Sequence, residues 1–267
     1  MKRYYVGMDV GSTYIKAALL QNDQVMDVQL RPTGIDSEKT VAELLNTICE
    51  KQGITRADIM RVTATGYGRR SISLADATLS EISAHALGIR LTAPEQTCPR
   101  LLIDIGGQDS KIISLGADGT VLNFTMNDKC AAGTGKFLEV VAELLETSVE
   151  EIPSLVQGST APCQINSTCA VFAQTEVISL LAQKKDRSDI LAGMHIAMAS
   201  RIAKMARKYK SARDVLMTGG GANNEALRMA LEDELLCDVH TARYPQFNGA
   251  IGAALAGCID LNREISA

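Results

Sequence analysis

The sequence Asp-Val-Gly-Ser-Thr-Tyr-Ile-Lys at residues 9–16 has a counterpart, Asp-Ile-Gly-Gly-Gln-Asp-Ser-Lys, at residues 104–111. Each segment contains an aspartate, a glycine two positions later and a lysine seven positions later. A strand-like apolar run precedes each aspartate, and a second strand, a tight turn and a third strand follow it. The turns fall at residues 21–23 and 116–119, which carry typical turn residues. The repeat therefore predicts two related lobes, each opening with a three-stranded meander.

Helical spacing of apolar residues follows each meander. In the first half, Val41, Leu44, Leu45 and Ile48 recur at helical spacing, with Thr40 as the expected N-cap. The second half contains three such stripes, which comprise Phe137, Val141, Leu144 and Leu145, then Val177, Ile178 and Leu181, then Ile190, Met194, Ala197, Met198 and Met205. Strands in series that then alternate with helices predict a mixed α/β sheet in each lobe.

The expected domain boundary lies in residues 92–99, which contain two prolines. We expect the first lobe to span residues 1–98 and the second lobe to span residues 99–248. The Gly- and Ala-rich segment at about 249–267 is predicted to form a C-terminal helix that packs back on the first lobe.

Composition excludes several classes of protein. The chain has 267 residues, of which 46% are hydrophobic, 22% charged and 4% aromatic, with a formal net charge of −4. A mildly acidic chain with few aromatic residues has no basic surface for nucleic acid, so we expect no nucleic-acid partner. No apolar run is long enough to span a membrane, and the N-terminus lacks the apolar core of a signal peptide. We therefore expect no membrane partner and a cytoplasmic location.

The two repeated turns have the chemistry of phosphate-binding loops. Glycines allow the backbone to approach an anion, and the hydroxyls of Ser12 and Thr13 can bind phosphate oxygens. An aspartate at the end of a strand can hold Mg²⁺ through water molecules. One such loop is equally well explained as a simple hairpin turn, but two in register favour a nucleotide held between two lobes. The dinucleotide-binding fingerprint and the Walker A sequence are both missing.

A third glycine-rich element, Met-Thr-Gly-Gly-Gly-Ala-Asn-Asn, occupies residues 217–224. Its three glycines would permit close approach of a planar base or a ribose. Taken alone, the element is equally well explained as a tight connection between a strand and a helix.

Together these elements resemble the phosphate 1, phosphate 2 and adenosine motifs of the acetate and sugar kinase, heat-shock chaperone and actin superfamily. The chain is most similar to one branch, the ATP-dependent activators of 2-hydroxyacyl-CoA dehydratases, which are related to the ATPase subunits of benzoyl-CoA reductase. The residues that carry this resemblance lie at 64–69, 103–109, 127–135, 167–173, 217–220 and 248–254. The resemblance implies an α/β fold of two ribonuclease H-like lobes, with the nucleotide in the cleft between them.

The resemblance also implies roles for individual residues in binding ATP or ADP with Mg²⁺. Asp9, Asp104 and Gln108 would be catalytic, with the two aspartates organising Mg²⁺ and the attacking water. The expected nucleotide-binding residues are Gly11, Ser12, Thr13, Tyr14, Ile15, Lys16, Gly106, Gly107, Gly219, Gly220, Gly221, Asn223 and Gln246. A lysine seven positions after the aspartate can equally point to solvent, so the roles of Lys16 and Lys111 stay open. Glu81 and Arg69 are possible supporting groups.

Of the seven cysteines, Cys130 and Cys169 each stand just ahead of a predicted helix, where the helix N-terminus favours a thiolate. From the residues alone, metal ligands and small buried hydrophobes both remain open. The resemblance implies that these two cysteines bind a 4Fe–4S cluster shared between the two subunits of a homodimer, because such a cluster takes four thiolates. Cys163 stays open as a third ligand. The other four cysteines are expected to be small buried hydrophobes, and comprise Cys49, Cys98, Cys237 and Cys258.

The expected function is therefore a homodimeric ATPase that couples ATP hydrolysis to one-electron transfer and activates a 2-hydroxyacyl-CoA dehydratase-type enzyme. Ferredoxin or flavodoxin is the expected electron donor. Three alternatives stay open: a component of a benzoyl-CoA reductase-like or other cluster-containing reductase, a small-molecule kinase, and a nucleotide-gated binding module without catalysis.

Overall fold

A computed structural model describes residues 3–127, 134–165, 170–209 and 214–266 of the chain. The chain divides into two compact units. Unit 1 comprises residues Met1–Glu95, Gly116–Val121 and Ala242–Ala267, and unit 2 comprises residues Gln96–Leu115 and Leu122–Thr241.

The described residues form ten strands and eight α-helices. The strands are β1 (Tyr4–Val10), β2 (Tyr14–Gln21), β3 (Gln24–Pro32), β4 (Ile59–Thr65), β5 (Ala77–Thr78), β6 (Leu101–Ile105), β7 (Ser110–Leu115), β8 (Val121–Asn127), β9 (Val215–Thr218) and β10 (Val239–Thr241). The helices are α1 (Ser37–Gln52), α2 (Glu81–Thr92), α3 (Gly135–Leu144), α4 (Ile152–Gln157), α5 (Ala170–Ala182), α6 (Arg187–Ala206), α7 (Glu225–Leu235) and α8 (Asn248–Ser266).

The two five-stranded sheets have the same topology. The first sheet has the order β3-β2-β1-β4-β5, and the second has the order β8-β7-β6-β9-β10. In both, the strand that ends in the repeated aspartate is central, antiparallel to the next strand along the chain and parallel to a later strand. The prediction of a mixed α/β fold with a related sheet in each half is confirmed.

Helix α1 shows how the sequence builds the core of unit 1. Val41, Leu44, Leu45 and Ile48 are buried along one face of the helix, as their spacing predicts. The predicted N-cap, Thr40, is wrong, because Asp36 caps the helix by accepting a hydrogen bond from the Lys39 N–H at 3.0 Å. Asp36 stands directly before the first turn, where its carboxylate can accept from a helix N–H that has no partner within the helix.

Helix α8 packs on the sheet of unit 1 through small apolar residues. Ala250, Ile251 and Ala254 are buried in one cluster with Tyr5 of β1 and Ala18 of β2. Alanine at these positions lets the helix axis lie close to the strands. The packing places the first residues of α8 beside the end of β1, where the repeated aspartate lies.

The core of unit 2 brings its sheet against α3, α6 and α7. Ile103, Met217, Phe137, Met194 and Leu227 belong to one buried cluster. Within the predicted stripe of α5, Val177 is buried but Ile178 is 50% exposed. Helix α5 therefore offers an apolar face that the described residues of unit 2 do not cover. No helix among the described residues combines the length and apolar character needed to cross a bilayer.

A buried histidine links α6 to α7. His195 Nδ1 lies 2.7 Å from the carbonyl oxygen of Leu191, and its Nε2 lies 3.0 Å from Asn224 Nδ2. In this arrangement Nδ1–H donates to the carbonyl and Nε2 accepts from the amide, so the ring is neutral. Asn224 also caps α7 by accepting from the Leu227 N–H at 3.0 Å. Burial lowers the pKa of His195 below the usual range of histidine.

The His195→Gln variant is expected to reduce the acid sensitivity of the fold. Because the pKa of His195 is lowered in the folded state, the unfolded state binds the proton first as pH falls, and stability is lost. Between about pH 7 and pH 5 this proton adds up to ~1.4 kcal/mol per pH unit to the slope of the unfolding free energy. Urea denaturation across this range should show a shallower slope in His195→Gln. His240→Gln, at a half-buried position on β10, should keep the steep slope; equal slopes in all three proteins would contradict this assignment.

Candidate functional site

At the end of β1 in unit 1, three polar side chains stand side by side on neighbouring strands. Asp9 pairs with Lys16 on β2 and with Thr65 on β4. Paired residues on adjacent strands project to the same face of a sheet, so the three side chains converge. Lys16 Nζ lies 3.3 Å from Asp9 Oδ2. The lysine therefore faces the aspartate, which removes the alternative that it points away to solvent.

Unit 2 repeats this arrangement with additional hydrogen bonds. Asp104 pairs with Lys111 on β7 and with Thr218 on β9. Thr218 Oγ1 donates to Asp104 Oδ1 at 2.9 Å, and Lys111 Nζ lies 3.4 Å from Asp104 Oδ2 and 2.6 Å from Asp109 Oδ1. The Lys111 side chain is only 1% exposed. Lys111 thus acts as the counter-charge of two buried carboxylates. The second of these, Asp109, was not predicted from the sequence to take part in the site.

The glycine-rich turns after the two aspartates have matching backbone hydrogen bonds. The Gly11 N–H donates to the Tyr14 carbonyl at 3.2 Å, and the Gly106 N–H donates to the Asp109 carbonyl at 2.9 Å. Ser12 in the first turn and Gln108 in the second are exposed. Both turns therefore present polar groups at the end of a central strand, where a ligand can reach them.

The second turn is tied to the start of α3. The Gly106 carbonyl accepts from the Gly135 N–H at 2.8 Å, and the Gly107 carbonyl accepts from the Lys136 N–H at 2.9 Å. These two bonds fix the turn to the first residues of the helix. The turn is therefore bonded to the start of α3, and this helix follows the segment that contains Cys130 in the sequence.

In each sheet, the strand that pairs directly and in parallel with the central strand ends in a threonine that is followed by a glycine. Gly66 follows Thr65 with φ +84°, and Gly219 follows Thr218 with φ +81°. A Cβ at residue 66 would lie 2.6 Å from Asp9 Oδ1, and one at residue 219 would lie 2.9 Å from Asp104 Oδ1. Both glycines therefore allow the backbone to pass directly beside an aspartate carboxylate.

The start of α8 is anchored beside Asp9. The Asn248 side chain donates to the His85 carbonyl at 3.0 Å and accepts from Thr92 Oγ1 at 2.7 Å. A Cβ at Gly249 would lie 3.4 Å from Asp9 Oδ2. The N-terminal end of α8, where helix N–H groups favour a negative charge, thus lies against this carboxylate. Asn248 was identified in the sequence only as part of the segment 248–254, without a role, because its partners lie far away along the chain.

The remaining nucleotide-binding candidates differ in their surroundings. Ile15 is fully buried in the core of unit 1, which leaves only its backbone as a possible contact for a ligand. Gly220 and Asn223 are exposed, whereas Gly221 packs against Ile105 of β6. The partly buried positions are Gly11, Thr13, Tyr14, Gly107 and Gln246. Gln246 belongs to unit 1, in the short 3-10 helix Pro245–Phe247 that precedes α8.

The two cysteines proposed as metal ligands, Cys130 and Cys169, lie outside the described residues. Of the four cysteines expected to be small buried hydrophobes, Cys258 is buried and Cys49 and Cys237 are half-buried. The expectation is wrong for Cys98, which is exposed. Burial raises the pKa of Cys49, Cys163 and Cys237, which disfavours the thiolate that a metal requires. Cys163 is half-buried, and its assignment as a third ligand stays open.

The BadF/BadG/BcrA/BcrD ATPase family model matches residues 6–257 of this sequence. The chain belongs to this family. The resemblance noted in the sequence is thereby confirmed, and a family of ATPases is favoured over the small-molecule kinases that share the fold.

Members of the family with assigned names align along almost the whole chain. A 2-hydroxyisocaproyl-CoA dehydratase activator of Clostridioides difficile is 41% identical over 254 residues, which cover 94% of each chain. The (R)-2-hydroxyglutaryl-CoA dehydratase activating ATPase of Acidaminococcus fermentans is 42% identical over 257 residues, covering 96% of this chain and 97% of the relative. The solved structure of the Clostridium difficile activator with bound ADPNP superposes with a TM-score of 0.90 at 38% identity, covering 98% of this chain and 97% of that one.

Proposed function

We propose that this protein is an ATPase that activates a 2-hydroxyacyl-CoA dehydratase-type enzyme by coupling ATP hydrolysis to low-potential one-electron transfer. The observation that carries the proposal is the similarity to named dehydratase activators, which extends over nearly the full length of both chains at 41–42% identity. The paired Asp-Lys-Thr arrangements at the ends of the two central strands supply the chemistry for nucleotide phosphates.

The residues at the end of β1 fit a Mg²⁺–nucleotide complex. Asp9 Oδ1 and Thr13 Oγ1 are buried oxygens with no hydrogen-bond partner among the described residues. Buried oxygens without partners are costly unless a ligand or water satisfies them. Asp9 would hold Mg²⁺ through water, while Ser12, Thr13 and Lys16 bind phosphate oxygens. Positioning and charge stabilisation of this kind account for most phosphoryl-transfer catalysis.

The second turn offers groups of the same kind in unit 2. Asp104 and the exposed Gln108 would orient Mg²⁺ and the attacking water, and the backbone of Gly106 and Gly107 would contact phosphate. Lys111 holds Asp104 in place and does not reach solvent, so we assign it a structural role. The adenosine moiety would contact the segment from Gly219 to Asn223.

A 4Fe–4S cluster bound by Cys130 and Cys169 would supply one electron at low potential. Four thiolates are required and each chain offers two in a helix-start context, so we propose a homodimer with one shared cluster. The two hydrogen bonds from α3 to the Gly106–Gly107 turn support coupling between the nucleotide and the segment that contains Cys130.

Unit 2 has exposed apolar side chains in the segments next to these cysteines in the sequence, which supports a protein–protein contact there. Leu122, Phe124 and Met126 of β8 are 67%, 49% and 38% exposed, and β8 ends three residues before Cys130. Phe172 of α5, three residues after Cys169, is 67% exposed. Exposed apolar patches of this kind are typical of interaction sites. Ferredoxin or flavodoxin as electron donor and a cytoplasmic location remain parts of the proposal.

The test is anaerobic purification followed by iron analysis, ATPase assay and activation of a dehydratase that lacks its activator. The wild-type protein should carry about two iron atoms per chain, half of a 4Fe–4S cluster. Cys130→Ser and Cys169→Ser should lose iron and dehydratase activation, because serine does not replace a thiolate ligand. Cys237→Ser, at a half-buried position of unit 2, should keep both.

Three outcomes would contradict the proposal. A wild-type protein that binds no iron and phosphorylates a small molecule would favour the kinase alternative. A protein that binds ATP without hydrolysing it would favour the nucleotide-gated binding module. A protein that binds iron, hydrolyses ATP and activates only a benzoyl-CoA reductase-type enzyme would support the electron transfer but contradict the proposed dehydratase partner.

A further inference from the structure

The two Asp–Thr pairs at the strand ends have the same register but different hydrogen bonding. In unit 2, the Thr218 hydroxyl donates directly to Asp104 Oδ1 at 2.9 Å. In unit 1, Thr65 Oγ1 and Asp9 Oδ1 occupy the corresponding positions, and neither has a hydrogen-bond partner within the described part of the chain. Asp9 Oδ1 therefore lacks the hydrogen bond that Asp104 Oδ1 receives from its neighbouring threonine.

This difference is physically significant because both groups are buried. Thr65 is 0% exposed and Asp9 is 4% exposed. Folded proteins seldom leave a buried hydroxyl and a buried carboxylate oxygen unpaired, because each has lost its hydrogen bonds to bulk water. Ordered water typically satisfies such groups when they do not reach each other. The pair thus points to a third oxygen that hydrogen-bonds to both.

Gly66 keeps a side chain away from Asp9 Oδ1. A Cβ at residue 66 would lie 2.6 Å from this oxygen and 2.6 Å from the Val10 carbonyl oxygen, so any other residue would crowd the carboxylate. Mg²⁺ in nucleotide sites keeps several of its water molecules, and these waters are held by carboxylates and hydroxyls.

We propose that Thr65 is a positioning residue for ATP hydrolysis, whose hydroxyl shares with Asp9 Oδ1 one water molecule of the Mg²⁺–nucleotide complex. This inference rests on the proposed ATPase function and deepens it. It adds the end of β4 to the nucleotide site, whereas the proposal above used only residues of β1, β2 and their connecting turn in unit 1. Thr218 has a different role, because its hydroxyl already donates to Asp104.

Thr63 provides a matched control on the same strand. It is buried, and its hydroxyl also has no hydrogen-bond partner among the described residues. Thr63 pairs with Gly7 on β1, which has no side chain, and its Oγ1 would lie 2.8 Å from a Cβ at Gly257 of α8. Thr63 therefore shares the burial and the strand of Thr65 but stands two residues away from the level of Asp9.

The experiment compares Thr65→Val, Thr65→Ser and Thr63→Val in the full chain. Two quantities are measured: kcat of ATP hydrolysis, and the gain in ADPNP affinity on adding Mg²⁺, determined by titration calorimetry. Thr65→Val should lower kcat and the Mg²⁺-dependent gain by roughly tenfold each, as expected when one hydrogen bond to a charged complex is lost. Thr65→Ser, which keeps the hydroxyl, should restore both, and Thr63→Val should leave both unchanged.

The outcomes separate this inference from the proposed function. If the wild-type protein neither binds ADPNP nor hydrolyses ATP, the proposed function fails. If the wild-type protein does both and Thr65→Val behaves like Thr63→Val, the role of Thr65 fails alone. If Thr65→Val lost the same ADPNP affinity with and without Mg²⁺, the role of Thr65 would also be overturned. Such a result indicates a distorted strand end, which weakens nucleotide binding whether or not Mg²⁺ is present. Thr65→Ala gives the same comparison if the valine variant does not fold.

Discussion

Replacing Lys111 with methionine is expected to lower the free energy of unfolding by about 3 to 5 kcal/mol. Lys111 Nζ lies 2.6 Å from Asp109 Oδ1 and 3.4 Å from Asp104 Oδ2, and its side chain is 1% exposed. Methionine fills a similar volume but carries no charge, so the two buried carboxylates would lose the positive charge that contacts both. Removing one partner of a buried ionic group costs far more than removing an exposed ion pair.

Lys16→Met is the matched control, since Lys16 occupies the corresponding position on β2. Its side chain is 18% exposed and contacts one carboxylate at 3.3 Å, so its loss should cost only about 1 kcal/mol. Adding Asp109→Asn to Lys111→Met should recover part of the lost stability, because one of the two uncompensated charges is removed. Urea denaturation of the four proteins measures these differences. Equal costs for Lys111→Met and Lys16→Met would show that Lys111 is not the counter-charge of both aspartates.

The position of these lysines could be predicted only in part from the sequence. The repeat of Asp, Gly and Lys correctly indicated two related sheets, because strand-turn-strand segments are local and their turn residues are characteristic. The direction of Lys16 and Lys111 stayed open, because it depends on register. A tight turn that pairs Asp9 with Lys16 and Asp104 with Lys111 places each lysine on the same face as its aspartate.

Contacts between distant parts of the chain were not predictable from one sequence. Strand β4 pairs in parallel with β1 although the two strands are about 55 residues apart in the sequence. The sequence indicated only the segment 64–69 at the end of β4. The Asn248 contacts with Thr92 and His85 join residues more than 150 positions apart. Parallel pairing and side-chain packing decide such contacts, and neither leaves a local periodicity. Thr65 was therefore overlooked as a supporting group of Asp9.

Gly219→Ala is expected to destabilise the protein by about 4 kcal/mol, because backbone strain and a steric clash act at one position. Gly219 has φ 81° and ψ 175°, a region that only glycine adopts readily. A Cβ there would lie 2.3 Å from the carbonyl oxygen of Ile105, which is backbone of the central strand and cannot rotate away. The same Cβ would lie 2.9 Å from Asp104 Oδ1, so the variant should also lose nucleotide affinity.

Gly53→Ala distinguishes the clash from the positive φ alone. Gly53 ends α1 with φ 62° and ψ 35°, and a Cβ there meets nothing within 4 Å. Alanine in this left-handed region costs about 1 to 2 kcal/mol. In thermal and urea unfolding, Gly219→Ala should therefore be much less stable than Gly53→Ala. ADPNP binding should be lost in Gly219→Ala and kept in Gly53→Ala. Gly66→Ala should behave like Gly219→Ala, because residue 66 also has a positive φ and lies beside Asp9 Oδ1. If all three variants cost the same, close approach of the backbone to the aspartates is not what requires glycine at the ends of β4 and β9.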